Sequence, residues 1–199
     1  MLSTAPNPGL TPRRPWAPLT DAELTLLKPF FIHGGAGRPM HDIRARLDAI
    51  FWAVTHNGYW KHLPPELGPW DTASRQFRRW AHKGVWSALL QAVAAPGAPL
   101  LLKRLTHWVC RAFRRALRIL GVEGIRLARR LGLHSALNGP TWMLPDPDLS
   151  DALLPRILAK VRGCIGQPAA IAIPILRAAR AFHSLVGGRR YIPRALAPP

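Results

Sequence analysis

Residues 72–83 carry a run of cations and amides whose spacing suits nucleic acid. Counted at 100° per residue from Phe77, the positions Ala73, Trp80 and Gly84 fall within about 60° of it. Arg75, Gln76, Arg79, His82 and Lys83 fall on the far side, with Arg78 at the border. Aromatic anchors would fix one face of a helix and hold a basic face outward. Arginine and glutamine pair bidentately with guanine and adenine edges in the major groove, so Arg75, Gln76 and Arg79 are candidate base-reading side chains, and His82 on the same face is a further candidate DNA contact. Lys83 and Arg78 suit phosphates. The same spacing also describes a solvated basic face, and spacing alone leaves both readings open.

The residues needed to cut or join DNA do not form a matching pattern. Metal-assisted phosphoryl transfer needs carboxylates from separate elements to hold two ions. Beyond residue 92 the carboxylates are Glu123, Asp146, Asp148 and Asp151, and the last three crowd into one Pro-Asp-Pro-Asp run. Such a run gives a turn and a helix N-cap more simply than a metal site. His107 and Cys110 stand three apart, and two ligands on one turn do not close a tetrahedral zinc site. Cys110 and Cys164 are too few for a disulfide scaffold. The glycine-rich 33–39 stretch lacks the Gly-Lys-Ser/Thr of a phosphate cradle. It reads as a loop that carries Arg38, a further candidate DNA contact. No catalytic residue, metal, cofactor or small-molecule substrate is assigned to this chain.

Charge narrows the partner. Lys and Arg number 28 against 10 Asp and Glu, a net +18 with a pI near 11.7. Such an imbalance attracts nucleic acid or anionic lipid. Hydrophobic residues at 48% suffice for a core,. The charge is uneven: residues 18–92 carry a net +3 and residues 93–199 a net +13. The change falls at a Pro/Gly cluster over 95–99, which reads as a linker. Residues 1–17 are proline-rich without the apolar run of a signal peptide. They read as a disordered tail, with Arg13 and Arg14 as loose phosphate contacts. The longest uncharged stretch, 84–102, contains Gln91, Pro96, Gly97 and Pro99 and cannot be one spanning helix,. A cytoplasmic, nucleoid-associated location is expected, and membrane insertion is not.

Helical elements account for most of the chain. Thr20 and Glu23 form a capping box, with Leu19 and Leu24 as its hydrophobic staple. The helix they start places Leu24, Leu27 and Phe31 on one face and turns irregular at Pro29. Ile43, Leu47, Ile50, Phe51 and Val54 predict a helix over 42–57, capped by Asp42 and ended by Gly58. The prolines of 60–70 exclude a helix there, and Trp60, Leu63 and Trp70 should tuck into the core. A fourth helix over 85–93 packs Trp86, Leu89 and Leu90.

Residues 99–120 predict one long cationic amphipathic helix. Leu101, Leu105, Trp108, Val109, Ala112, Phe113, Ala116 and Leu120 cover one side, opposite a row of cations. Arg104, Arg111, Arg114, Arg115 and Arg118 in that row are candidate secondary contacts to a nucleic-acid backbone. A solvated face on a core helix and a membrane-surface helix remain alternatives. Helices are also expected over 150–162 and 175–186. One strand candidate, 170–175, is interrupted by Pro174. The fold class is all-α. A compact helix-turn-helix-like module spans 18–92 and a linker 93–99. A basic helical extension follows over 100–186, then a disordered tail over 187–199, with no RNase H-like domain.

Several runs stand in a familiar order. Leu19-Thr20-Asp21-Ala22-Glu23, Gly37-Arg38-Pro39 and Leu47-x-Ala49-Ile50-Phe51-Trp52 come first. Gly58-x-Trp60-x-x-Leu63-Pro64-Pro65-Glu66-x-Gly68-Pro69-Trp70, Arg75-x-Phe77-Arg78-Arg79-Trp80 and Gly84-Val85-Trp86 follow. Residues 18–92 thereby resemble the N-terminal helical domain of bacterial insertion-sequence transposases. Thr55-His56-Asn57-Gly58 departs from the family's tighter Arg-Thr-Gly turn. In that family the domain precedes an RNase H-like DDE catalytic domain, sometimes encoded in a separate frame. The resemblance implies binding to the terminal DNA of a mobile element. A divalent metal would enter only with a separate DDE catalytic partner chain. A degenerate remnant or a regulator that occupies element ends is one alternative, and a cationic membrane-surface protein is another.

Overall fold

The computed structural model describes residues 11–31, 42–56, 58–144 and 146–186. The 33–39 loop with Arg38, and the 187–199 tail, lie outside them. Among the described residues the chain is all-α, with no strand. Helix α1 spans Asp21–Phe31 and α2 Ile43–Thr55. Helix α3 spans Trp70–His82 and α4 Val85–Ala94. Helices α5 and α6 span Leu100–Arg104 and Thr106–Arg130. Helices α7 and α8 span Pro147–Arg162 and Ala169–Val186.

Local sequence chemistry explains the starts. The Thr20 N–H donates to Glu23 Oε2 at 3.0 Å and the Glu23 N–H donates to Thr20 Oγ1 at 3.3 Å, a reciprocal cap,. Leu19 and Leu24 are both buried beside it. Asp42 caps α2 by accepting from the Ala45 N–H at 2.9 Å, and Asp146 caps α7 by accepting from Asp148 and Leu149. Between α3 and α4 the chain reverses through Gly84 at φ +72°, a left-handed conformation that a side chain would strain,.

Several expectations are corrected. The predicted 99–120 helix is broken at Leu105, where the Thr106 hydroxyl donates to the Lys103 carbonyl at 2.6 Å and competes with the helical ladder,. Helix α6 then continues to Arg130, kinked at Gly121, whose φ is 62° and ψ −144°. Residues 170–175 are helical, within α8. Trp70 is 41% exposed rather than tucked in, because it opens α3, with the Lys61 ammonium 5.9 Å from its ring.

One continuous core joins both halves of the chain. Trp86 stands at its centre, with ring centroids 5.1 Å from Phe77, 5.5 Å from Phe31 and 6.5 Å from Phe51. Phe51 in turn lies 5.5 Å from Trp108 on α6. Helix α6 packs most extensively on α4, then on the turn His134–Ala136, and then on α2 and α3. Its stripe of Leu105, Trp108, Val109, Ala112, Phe113 and Ala116 is fully buried. The Pro/Gly cluster over 95–99 is therefore a turn within one core. Helices α7 and α8 pack mainly on each other. Ion pairs from Arg126 and Arg130 to Asp151, and from Arg129 to Asp146, tether α7 to α6.

The segment before α1, read from sequence as disordered, lies along the bundle from residue 11. The Thr11 N–H donates to Ser135 Oγ at 2.8 Å, and the Trp16 indole N–H donates to the Asp48 carbonyl at 3.2 Å. Arg14 is not the loose phosphate contact that the sequence suggests. Its guanidinium sits 4.0 Å from the Trp108 ring centroid and pairs with Glu23 at 2.7 Å.

Burial of Glu23 by itself raises its pKa. The Thr20 backbone N–H, the Arg14 guanidinium and the Thr20 hydroxyl outweigh burial and hold the carboxyl below its ordinary value near 4.5,. A carboxylate depressed in the folded state stabilises above its unfolded pKa, and that contribution is lost as pH falls through the folded value. Asp48 is displaced upward by burial, against the Leu19 N–H it accepts from, and so acts in the opposite sense. Glu23→Gln should therefore be less stable than the parent at pH 7, and the gap should narrow on acidification toward pH 3. Urea midpoints of both proteins across that range check it. A gap that widens on acidification would contradict the assignment.

Candidate nucleic-acid interface

Helix α3 separates its residues as the 100° count requires. Phe77 and Trp80 are 3% and 2% exposed, with Trp60 5.5 Å from Phe77 and Phe31 4.5 Å from Trp80. Arg75, Arg78, Arg79, His82 and Lys83 are exposed and Gln76 is half-buried. Arg75 pairs with Asp71 one turn earlier, and Arg78 donates to Ser74 Oγ at 3.1 Å. Arg79 and Lys83 take part in none of the ion pairs among the described residues. The outward face therefore presents several exposed cations on one side of the helix. Helices α3 and α4 form a hairpin joined by Lys83 and Gly84, and its cations sit on the first helix. Helix α4 carries no charged residue and buries Trp86, Leu89, Leu90 and Val93.

A second basic surface lies on α6. Arg111, Arg114 and Arg118, at helical spacings of three and four, line an open cleft of about 500 Å³. Gly58, Tyr59 and Asn138 also line it. Arg115 does not point freely outward. It donates to the Ala53 and Gly58 carbonyls at 3.1 Å each and lies 4.3 Å from the Trp60 ring centroid, so it ties the end of α2 to α6. Arg104 is exposed at the end of α5 and offers its carbonyl to Arg14 at 3.4 Å.

Burial and neighbouring cations act together on this surface. Burial lowers the Arg111 pKa, and Arg114 and Arg13 lower it further. Burial lowers that of Arg115 with help from Arg118, and burial, Arg111 and Arg13 lower that of His107. Cations that depress one another gain when an anion settles among them. Sequence reasoning missed Tyr59 and Asn138. Nothing local distinguishes exposed Tyr59 from its half-buried neighbour Trp60.

The acidic run does not gather as a metal site. Asp146 is occupied as an N-cap and by Arg129, and Asp151 by Arg126 and Arg130. Among the described residues no three His, Cys, Asp or Glu side chains converge on a point that could hold a metal ion. Burial pushes the Cys110 thiol up to about 12, far from a reactive thiolate,. No helix among the described residues is long and apolar enough to cross a membrane.

Among known families, the model described as "Putative transposase of IS4/5 family" matches residues 19–90, which hold α1 to most of α4. No curated protein and no solved structure matches the chain.

Proposed function

We propose that this chain is a transposase-type DNA-binding protein that docks on the terminal DNA of an insertion sequence and carries no complete catalytic domain of its own. The observation that supports it is α3, whose aromatic side is locked in the core while Arg79, His82 and Lys83, flanked by Arg75, Gln76 and Arg78, face outward. The 19–90 family match covers this same segment and supports the reading. In this reading Arg79 and Gln76 meet base edges, Lys83 and Arg78 meet phosphates, α6 adds backbone contacts through Arg111, Arg114 and Arg118, and α5 adds one through Arg104. Cutting and joining would fall to a separate DDE chain that supplies the metal site.

Binding to the element's terminal repeat and to a scrambled duplex tests it. If about six phosphates are neutralised, log affinity should fall with log salt at a slope near −5. Arg79→Ala should leave the fold intact, since surface changes usually stay within about 0.5 kcal/mol. If Arg79 meets a guanine edge, its loss should cost roughly 1–3 kcal/mol of discrimination at one base pair. Equal weakening on both duplexes would mean that it meets phosphate only. Unchanged affinity for both would leave this face merely solvated.

A second reading draws on the α7–α8 pair, where Ile165, Ile171, Ile173 and Leu176 are exposed beside Arg177 and Arg180. Apolar and cationic groups together suit an anionic membrane surface. Cosedimentation with phosphatidylglycerol vesicles but not with duplex DNA would favour it over the first.

A further inference from the structure

The α6 cleft differs from a plain cationic stripe in having an aromatic wall. Tyr59 is 78% exposed, on a par with Leu100 and behind only Ile165 among the large hydrophobic side chains of the described residues. Its position is nonetheless built. Arg115 holds the Gly58 carbonyl at 3.1 Å and stacks over Trp60, so the residues on either side of Tyr59 are fixed to α6. His62 packs edge-on against the Tyr59 ring at 5.6 Å. Arg114 and Arg118 line the same cleft, and no carboxylate among the described residues lines it. Its volume of about 500 Å³ lies within the range of about 300–1,000 Å³ seen for ligand clefts,. Burying an exposed phenol ring is favourable when a flat apolar partner covers it, and a nucleobase provides both a flat face and an attached phosphate.

We propose that this cleft holds an unpaired nucleotide of a DNA strand, with its base stacked on Tyr59 and its flanking phosphates on Arg114 and Arg118. The proposal rests on reading the chain as a DNA-binding protein and adds a single-strand site to the duplex face of α3. A base inside a duplex is already stacked on its neighbours and cannot lie on Tyr59. Only frayed, nicked or single-stranded DNA can therefore use the aromatic wall, whereas the arginines accept phosphates of any strand.

Fluorescence anisotropy with the full chain separates these contributions. The probes are a twelve-nucleotide oligothymidylate, a strand of the same length made wholly of abasic sites, and a blunt duplex. Tyr59→Ala carries little folding risk because the ring is exposed,. It should bind oligothymidylate about 5- to 150-fold more weakly, the range for losing one base–aromatic stack. Its affinity for the abasic strand and the duplex should not change, and Tyr59→Phe should bind like the parent. Arg114→Ala/Arg118→Ala should weaken both single strands and flatten their salt slope by about 1.4, or 0.7 for each phosphate no longer neutralised. A Tyr59→Ala protein that binds oligothymidylate as tightly as the parent overturns the proposal, as does equal weakening on the abasic strand. Should the parent bind none of the three probes, the DNA-binding reading itself falls.

Discussion

Trp86→Ala should lose most of the stability of the bundle. The indole is fully buried at the meeting point of α1, α2, α3 and α4, with Phe31, Phe51, Phe77 and Trp80 all within 6.5 Å of its ring. Its N–H donates to the Phe77 carbonyl at 3.2 Å, in the last turns of α3. Truncation leaves a cavity that four other rings cannot fill without leaving their own neighbours, and costs about 3–5 kcal/mol. The Phe77 carbonyl loses this second donor but keeps its place in the helical ladder of α3, so the cavity dominates the cost,. Total stabilities run about 5–15 kcal/mol, so the variant should be largely unfolded or melt at much lower urea. Trp80→Ala, which removes a ring packed on both Phe31 and Trp86, should approach it, while Arg79→Ala should not. Urea titrations followed by circular dichroism check this. A Trp86→Ala midpoint close to the parent's would mean that the aromatic cluster is not the keystone of the core.

Removing residues 99–199 should unfold what remains, whereas removing residues 145–199 should not. From the charge break alone, the first truncation looks like a clean separation of two parts. The packing argues otherwise. Leu102, Leu105, Trp108, Val109, Phe113 and Leu117 are buried in the shared core. At about 1.5–3 kcal/mol for each buried side chain, their loss removes on the order of 10 kcal/mol, comparable with the whole stability. Helices α7 and α8 contribute little to that core, and their ion pairs to α6 are partly exposed, where such pairs add little,. The 1–144 protein should give one cooperative unfolding transition, and the 1–98 protein none. A cooperative transition in the shorter protein would show that the segment matching the transposase family folds by itself.

The helices with regular apolar spacing and polar caps were readable from the residues. Thr20, Glu23 and Asp42 sit where they cap, and the Phe77 and Trp80 face emerges from a wheel count because one helix face must be apolar. The stripe on α6 was readable for the same reason. The break at Leu105 was not, since it depends on one hydroxyl competing for one carbonyl. Contacts between distant segments left no periodic trace. The proline-rich stretch before α1 resembles any tail until Arg14 meets Trp108 and Glu23. Arg115 belongs to the same cationic row as Arg114 and Arg118, and only the approach of α2 assigns it to carbonyls. On the α3 face the wheel count places Arg75, Arg79, His82 and Lys83 outward, where they are exposed, and Gln76 among them is half-buried,.

The contacts of the leading segment also set an order of events during synthesis. Trp108 donates its indole N–H to the Arg14 carbonyl, and Ser135 accepts from Thr11. These partners lie 94 and 124 residues apart along the chain. At about 5–20 residues per second, Arg14 waits roughly 5–20 s before its partner is even translated. Until then α2 and α4 present apolar surface that only α6 covers. A nascent chain stalled before α6 would be a substrate for chaperones and proteases. Closure of the core therefore waits on synthesis of α6, which lies beyond the segment that carries the candidate base-reading helix.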